Sequence, residues 1–261
     1  MTTQMIDNVA VEVEGDGNDI VCVHGLGGSS NTWTPLMAAM QGNRIVRIDL
    51  PGSGRSTVFS GELSIESMVA TVVKVCRYLC IDAAHFVGHS MGTIVCQHLA
   101  IQHPEMVKSL ALFGPLVSPP EAGRPNILAR SEKAASGGAA ALQEIADAIV
   151  AGATSKETRE QHPVAVALVR ESVMRQSSQG YAQSCRALAN AQAARIEHIT
   201  VSTLLLTGDQ DNVAPVPAVT AMGERITNSR IVVLDGCGHW PTFEKPGECH
   251  AHLADFLRSI G

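Results

Sequence analysis

The chain is poor in aromatic side chains and has neither clustered charge nor long apolar runs. Aromatic residues make up 3% and charged residues 17% of its 261 positions, and 25 acidic residues outnumber 19 basic ones for a formal net charge of −6. Because no basic run is present to neutralise phosphates, nucleic acid is not an expected partner. Two long segments without charged residues, 20–43 and 83–104, contain Gly, His and Ser, so neither is typical of a membrane span.

Signals for export, disulfides and cofactors are also missing. The first 15 residues contain no basic start followed by an apolar run, so we expect no secretory signal and a cytoplasmic location. The seven cysteines are odd in number and lie in mostly apolar contexts, which favours reduced thiols. No dinucleotide-binding fingerprint occurs, and Cys249, His250 and His252 do not share one helix face. We therefore expect neither a cofactor nor a metal.

Short apolar segments typical of strands alternate with longer segments of helical spacing. The strand candidates are 9–13, 20–23, 44–48, 86–87, 109–113, 203–207 and 231–234, and the helix candidates are 64–79, 91–103, 215–227 and 248–259. This alternation predicts an α/β protein with a mostly parallel, twisted sheet and helices on both faces. Because Gly15-Asp16-Gly17 separates the first two strand candidates, we expect these two to form an antiparallel hairpin.

The alternation stops between residues 118 and 195. This segment begins with a Pro-rich stretch and then becomes helical in pattern, with 19 Ala in 78 residues and Tyr181 as its one aromatic residue. Ala-rich helices bury little area unless they pack on a neighbour, so we predict a helical cap over the sheet. The domain prediction is a core of residues 1–117 and 196–261 with a cap of residues 118–195. Oligomeric state stays open, and a homo-oligomer is one hypothesis.

A Gly-His-Ser-Met-Gly motif at positions 88–92 follows one strand candidate and precedes a helix candidate. In this context the motif predicts a nucleophile elbow, in which small flanking residues allow a sharp turn that exposes the Ser90 hydroxyl. The amides at the start of the following helix would point towards any oxygen that gains charge above Ser90.

A serine hydroxyl needs a base, and that base needs a carboxylate to orient it. His239 is the preferred base because it lies in a glycine-bracketed loop between the last strand and the last helix, and His89 is the alternative. Asp211 follows the strand at 203–207 and is the preferred carboxylate. Asp209 is expected to bond the loop backbone instead, and Asp235 is a third candidate.

The loop His-Gly-Leu-Gly-Gly at positions 24–28 follows another strand candidate, and its glycines allow the backbone to approach a substrate oxygen closely. We therefore predict that the amides of Leu26 and Met91 form an oxyanion hole. The loop at 49–56, Asp-Leu-Pro-Gly-Ser-Gly-Arg-Ser, is assigned mainly to a structural turn.

Taken together, five motifs resemble those of the α/β-hydrolase superfamily over nearly the whole chain. They are the motifs at 24–28, 49–56 and 88–92, Gly-Asp-Gln-Asp at 208–211, and Gly-Cys-Gly-His-Trp-Pro at 236–241. Residues 87–115 look most like 3-oxoadipate enol-lactonase and related carboxylesterases. The resemblance implies the α/β-hydrolase fold, a cap of four to five helices between the sixth and seventh strands, and the roles of nucleophile for Ser90, acid for Asp211 and base for His239.

The resulting hypothesis is a serine hydrolase that cleaves a small-molecule carboxylic ester or lactone through an acyl-enzyme intermediate. Trp33 and Trp240 are predicted to line the substrate pocket. The alternatives are a carbon–carbon bond hydrolase or a perhydrolase of the same fold, and a non-catalytic receptor for small molecules.

Overall fold

Eight strands form a single sheet in the computed structural model, which describes residues 2–260. The order across the sheet is β1-β2-β4-β3-β5-β6-β7-β8. Strand β2 is antiparallel to its neighbours β1 and β4, and every other neighbouring pair is parallel. The strands are β1 (Thr2–Ile6), β2 (Val9–Glu14), β3 (Asp19–Val23), β4 (Arg44–Ile48), β5 (Ala84–His89), β6 (Val107–Phe113), β7 (Thr203–Gly208) and β8 (Ser229–Leu234). The predicted mostly parallel sheet is confirmed.

The predicted hairpin between β2 and β3 is wrong. Strand β4 lies between them, and β2 instead forms its hairpin with β1. The turn of that hairpin is Asp7-Asn8, whose two residues both have positive φ, as a tight two-residue hairpin turn requires. Gly15 also has positive φ, and an added Cβ there would lie 2.4 Å from the carbonyl oxygen of Asn43. The glycines after β2 therefore let the chain pass close to the start of β4 instead of turning straight back.

Helices cover both faces of the sheet, and each face has its own hydrophobic cluster. On one face α1 and α2 contribute side chains such as Met68 and Ile94, and on the other α9 and a 3-10 helix at Ser30–Met40 contribute Phe256 and Leu36. The helices are α1 (Ile65–Tyr78), α2 (Met91–Gln102), α3 (Arg124–Ala153), α4 (Lys156–Gln161), α5 (Pro163–Met174), α6 (Ser178–Asn190), α7 (Val216–Arg225), α8 (Pro241–Glu244) and α9 (Pro246–Ser259). None of the helices within residues 2–260 combines the length and apolar character needed to cross a bilayer.

The segment between β6 and β7 contains α3, α4, α5 and α6. Helix α3 is interrupted at Gly138, where φ is +59°, so its two arms fold back towards one another. Side chains from α3, α5 and α6 form a third hydrophobic cluster, in which Tyr181 is fully buried and Trp240 of the core takes part. Leu26 contacts both this cluster and the core beneath it. The helices of this segment therefore pack on the loops at one edge of the sheet.

The strand register decides which loops meet at that edge. Val23 of β3 pairs with Gly88 of β5, His89 pairs with Phe113 of β6, and Phe113 pairs with Leu206 of β7. The carboxyl ends of these parallel strands are thus side by side. The loops that follow them carry the motifs at 24–28, 88–92 and 208–211 to the same place, as expected for the functional edge of an open α/β sheet.

Candidate active site

Ser90 occupies a strained turn between β5 and α2. Its φ is +50°, a left-handed conformation that is unfavourable for a residue with a side chain. The turn is held by the Ser90 amide, which donates to the carbonyl oxygen of Phe113 at 2.9 Å. An added Cβ at Gly92 would lie 2.2 Å from the carbonyl oxygen of Val23, so only glycine allows α2 to begin this close to β3. The elbow predicted from the motif is thus present as a local geometry.

Two hydrogen bonds connect Ser90 with His239 and Asp211. Nε2 of His239 lies 2.8 Å from Oγ of Ser90, and Nδ1 of His239 lies 2.8 Å from Oδ2 of Asp211. Because an ionised carboxylate only accepts, the imidazole donates from Nδ1, which leaves Nε2 to accept from the serine hydroxyl. All three residues are buried, with Ser90 7% exposed. This arrangement can move the serine proton to the imidazole during attack on a carbonyl carbon.

The carboxylate of Asp211 is held independently of the imidazole. Its Oδ1 accepts hydrogen bonds from the amides of Val213 and Ala214, both at 2.8 Å. Burial acts to raise the pKa of Asp211, but the neighbouring His239 and these two amides outweigh burial and hold the pKa below its ordinary value. The group facing Nδ1 is therefore a fixed anion.

The other two aspartates considered for this role have different positions in the structure. Oδ1 of Asp209 accepts from the amide of Cys237 at 3.1 Å, so it bonds the backbone of the loop that carries His239. Within residues 2–260, Asp235 makes no hydrogen bond to the imidazole of His239, and Nδ1 of that imidazole is bonded to Asp211. Asp211 is the carboxylate that the fold brings to the histidine.

His89 points away from the serine beside it. Its Nε2 donates to the carbonyl oxygen of His239 at 2.7 Å, and its ring lies between those of His239 and Trp240, with centroids 5.2 Å from each. Complete burial, with a smaller effect of His239, lowers the pKa of His89 to about 3. The ring is therefore neutral and acts as a support for the histidine loop.

The loop at 24–28 lies directly against Ser90. An added Cβ at Gly25 would be 2.8 Å from Cβ of Ser90, so a side chain at this position would collide with the elbow. Leu26 is the next residue of this loop after Gly25, and Met91 is the first residue of α2, directly after Ser90. As at any helix start, the Met91 amide has no carbonyl one turn earlier to accept its hydrogen. The predicted role of the two amides as oxyanion donors fits these positions and stays a prediction.

Two residues near the end of α5 hold the loop at 24–28, and no sequence motif indicates either of them. Nε2 of Gln176 donates to the carbonyl oxygens of Gly27 and Gly28, both at 3.1 Å, while Oγ of Ser172 donates to Gly27 at 2.8 Å. Oε1 of Gln176 accepts from the amide of Gly54 at 3.0 Å. One buried side chain thus ties the cap to two loops of the core.

His24 and Asp49 also form hydrogen bonds that hold the loops at 24–28 and 49–56. Nδ1 of His24 donates to the carbonyl oxygen of Gly25 at 2.8 Å, and its Nε2 accepts from the amide of Leu50 at 2.9 Å. Burial lowers the pKa of His24, which keeps the ring neutral as these two bonds require. The buried carboxylate of Asp49 accepts from both the amide and Nε of Arg55 at 3.0 Å. These contacts agree with a structural role for the loop at 49–56.

The two tryptophans lie in different parts of the molecule. Trp33 is fully buried in the core cluster on the α9 face, where its ring meets that of Phe113 edge-on at 5.9 Å, and this position does not favour a role in a substrate pocket. Trp240 lies at the junction of cap and core, stacked on Phe243 at 5.8 Å. Its role as a pocket residue stays a prediction.

A cavity of about 460 Å³ lies between the two arms of α3, next to residues that bond to the triad, as we call the hydrogen-bonded group of Ser90, His239 and Asp211. Its lining includes Arg130, Ile149, Ala153 and Val213. The carbonyl oxygen of Ala153 accepts from the amide of His239 at 2.8 Å, and Val213 binds the carboxylate of the triad. Another cavity, of about 330 Å³, lies between the 3-10 helix and α5, and neither of the two cavities is lined by a residue of the triad itself. Because two of its lining residues, Ala153 and Val213, bond to residues of the triad, the first cavity is our candidate approach for a small molecule.

Comparison with known proteins identifies the family. A sequence model described as the alpha/beta hydrolase fold matches residues 19–246, which is most of the chain. The chain belongs to the α/β-hydrolase fold family. The predicted resemblance and the predicted fold class are thereby confirmed.

Three known proteins show what this α/β hydrolase is similar to in sequence or structure. It is 26% identical over 264 residues to 3-oxoadipate enol-lactonase 1 of Acinetobacter baylyi, covering 100% of this chain and 97% of that one. The crystal structure of the enol-lactonase from Burkholderia xenovorans LB400 superposes with a TM-score of 0.88 at 25% identity, covering 98% of this chain and 100% of that one. The match to (E)-2-((N-methylformamido)methylene)succinate hydrolase of Acinetobacter baylyi is 24% identical over 120 residues and spans 46% of each chain, less than half of that relative.

Proposed function

We propose that this α/β hydrolase is a serine hydrolase that cleaves a carboxylic ester or lactone through an acyl-enzyme intermediate. The observation that carries the proposal is the continuous chain from Oγ of Ser90 through the imidazole of His239 to the carboxylate of Asp211, with both hydrogen bonds at 2.8 Å. The full-length similarity to 3-oxoadipate enol-lactonase 1 supports the same reaction class.

In the proposed reaction Oγ of Ser90 attacks the substrate carbonyl while Nε2 of His239 takes the hydroxyl proton. The carbonyl oxygen becomes an oxyanion that accepts hydrogen bonds from the amides of Leu26 and Met91. The imidazolium then gives its proton to the departing oxygen, which leaves an acyl group on Ser90, and water attacks the acyl group with the same imidazole as base. Loss of one oxyanion donor in such a site typically costs about 10²–10³ in rate.

The test is turnover of short-chain p-nitrophenyl esters, simple lactones and enol-lactones by the wild type, by Ser90→Ala and by the control Ser136→Ala. Ser136 is an exposed serine of the cap, so its loss should leave turnover unchanged. We expect Ser90→Ala to lose turnover of every substrate that the wild type cleaves. Turnover retained by Ser90→Ala would refute the nucleophile, and a wild type that reacts once with a fluorophosphonate but turns over no substrate would favour a non-catalytic receptor.

The same assay series separates the other activities that a triad of this kind supports. A carbon–carbon bond hydrolase would cleave a vinylogous diketone in preference to every ester, and a perhydrolase would form a peracid from a carboxylic acid and hydrogen peroxide. Either result would replace the ester or lactone as the substrate class.

The proposed reaction needs no cofactor and no macromolecular partner. A small-molecule ester or lactone, a cytoplasmic location and a homo-oligomer are parts of the proposal, and nucleic acid and membranes are not. Light scattering tests the oligomeric state, and fractionation of cells tests the location.

A further inference from the structure

Glu244 is a buried carboxylate that accepts four hydrogen bonds at the junction of cap and core. Its side chain lies in the short helix α8 and the residue is 4% exposed. Oε2 accepts from the amide of Ser155 at 2.8 Å, the hydroxyl of Thr158 at 2.9 Å and the amide of Gly238 at 3.0 Å. Oε1 accepts from the amide of Trp240 at 3.0 Å.

Two of the four donors flank His239 in the chain, and the other two lie in the cap. Gly238 and Trp240 are the residues immediately before and after His239, whereas Ser155 and Thr158 belong to the cap. One carboxylate therefore fixes the backbone on both sides of the histidine and fastens it to the cap.

The loop that carries His239 also packs directly against the cap. The amide of His239 donates to the carbonyl oxygen of Ala153 at 2.8 Å. An added Cβ at Gly238 would lie 2.7 Å from Cα of Thr154, so only glycine permits this approach. The position of the histidine backbone is thus set by the cap corner at 153–155 together with Glu244.

A simple ion pair does not explain this carboxylate. Lys245, the next residue, pairs with Glu157 at 2.9 Å, and no ion pair joins Glu244 to a basic side chain in the part of the chain that the structure describes. Burial of a carboxylate is costly unless its oxygens are fully hydrogen-bonded, and here backbone amides and a hydroxyl do so. An apolar side chain at this position would leave the amides of Ser155, Gly238 and Trp240 without an acceptor.

We propose that Glu244 is a positioning residue that keeps Nε2 of His239 within hydrogen-bonding distance of Ser90 and makes this geometry depend on the cap. The inference rests on the proposed hydrolase function. It predicts that loss of Glu244 lowers the rate of the chemical step more than it lowers substrate binding. A displacement of about 1 Å in a catalytic group costs about 10²-fold in rate, so partial loss of the four bonds should have a measurable effect.

Glu244→Gln tests the proposal with little change of shape. An amide has one acceptor oxygen, so if that oxygen replaces Oε2, the side-chain NH₂ group faces the amide hydrogen of Trp240. We expect kcat for a p-nitrophenyl ester to fall about tenfold while KM changes by less than about twofold, the pattern of an interaction that matters in the transition state. The rate of Ser90 labelling by a fluorophosphonate should fall in parallel, because that reaction needs the same imidazole.

Two control variants separate positioning from general effects on the fold. Glu248→Gln makes the same chemical change at an exposed site on α9 and should keep wild-type kcat. Val69→Ala removes buried volume from α1, a helix that contains no residue of the triad, and should lower the melting temperature without lowering kcat. The proposal is overturned if Glu244→Gln keeps kcat within about twofold of the wild type, or if Val69→Ala loses as much kcat as Glu244→Gln does.

Two further outcomes are also decisive. If Glu244→Gln does not yield folded protein, Thr158→Val removes one of the four donors from the cap side and should lower kcat about threefold at unchanged KM. Unchanged kcat in Thr158→Val would then overturn the proposal. A wild type without Ser90-dependent turnover would refute the proposed function itself, and that result is read from Ser90→Ala alone, before any comparison with the Glu244 variants.

Discussion

Gly114 is a position where one added methyl group should disable the site while the fold survives. It directly follows β6 with φ at +55°, and an added Cβ would lie 2.9 Å from both Cε1 and Nδ1 of His239 and 3.4 Å from Oδ2 of Asp211. Unstrained contacts between carbon atoms are about 3.5–4.0 Å, so in Gly114→Ala the imidazole or the backbone must move by about 0.5–1 Å.

Such a movement should cost activity by a predictable amount. The imidazole is bound at 2.8 Å on each side, to Ser90 and to Asp211, so it cannot shift without lengthening or bending one of these bonds. We expect kcat to fall about 10²-fold, which corresponds to about 2.7 kcal/mol in the activation free energy. The left-handed backbone conformation should also lower the free energy of unfolding by about 1–2 kcal/mol once a side chain is present.

Gly42→Ala is a matched control for the backbone effect. Gly42 also has positive φ, at +85°, but no atom lies within 4 Å of an added Cβ. The two variants should therefore show similar losses of about 1–2 kcal/mol from left-handed strain, whereas only Gly114→Ala should lose activity. The measurements are kcat and KM for a p-nitrophenyl ester and thermal unfolding. If Gly114→Ala retains the kcat of Gly42→Ala, the contact between Gly114 and the imidazole does not matter for catalysis.

Two further predictions concern the supports of the site. Gln176→Ala removes the donor to two carbonyl oxygens of the loop at 24–28 and should lower kcat about tenfold. The control Gln179→Ala, at an exposed site, should keep wild-type kcat. Equal kcat in the two variants would contradict a role of Gln176 in positioning the loop. Burial lowers the pKa of His89 to about 3, whereas its pKa in the unfolded chain is about 6.5, so the unfolded state binds more protons between these two pH values. The free energy of unfolding should therefore fall by about 1.4 kcal/mol per pH unit as pH drops through this window, and His89→Gln should remove that contribution. Urea unfolding between about pH 4 and 6 checks this, and equal slopes for the wild type and His89→Gln would show that His89 does not carry it.

Buried parallel strands were the easiest elements to predict from the sequence. Strands such as β3 and β7 are covered on both faces, so they appear as short continuous apolar runs that need no knowledge of their neighbours. Strand β1 was missed because most of its residues are exposed and its sequence, Thr-Thr-Gln-Met-Ile, has no such run. The wrong hairpin has a related cause, since β2 could pair with either neighbour in sequence and the choice depended on β4, which lies farther along the chain.

Trp33 shows the limit of predictions from residue type. Trp33 is predicted to line the substrate pocket, and the 3-10 helix that begins at Ser30 places its side chain in the core beside Phe113. The direction of a side chain on a short helix depends on where the helix starts, and the sequence did not predict a helix there.

The sequence alone determined the alternating architecture and the candidates Ser90, Asp211 and His239, because these residues follow strands in loops whose glycines mark tight turns. Only the tertiary structure decided what holds them in place. Glu244 bonds Ser155, 89 positions away, and Gln176 bonds Gly27, 149 positions away. A buried polar side chain is recognised by the donors and acceptors around it, and when those come from distant segments no local pattern can indicate them.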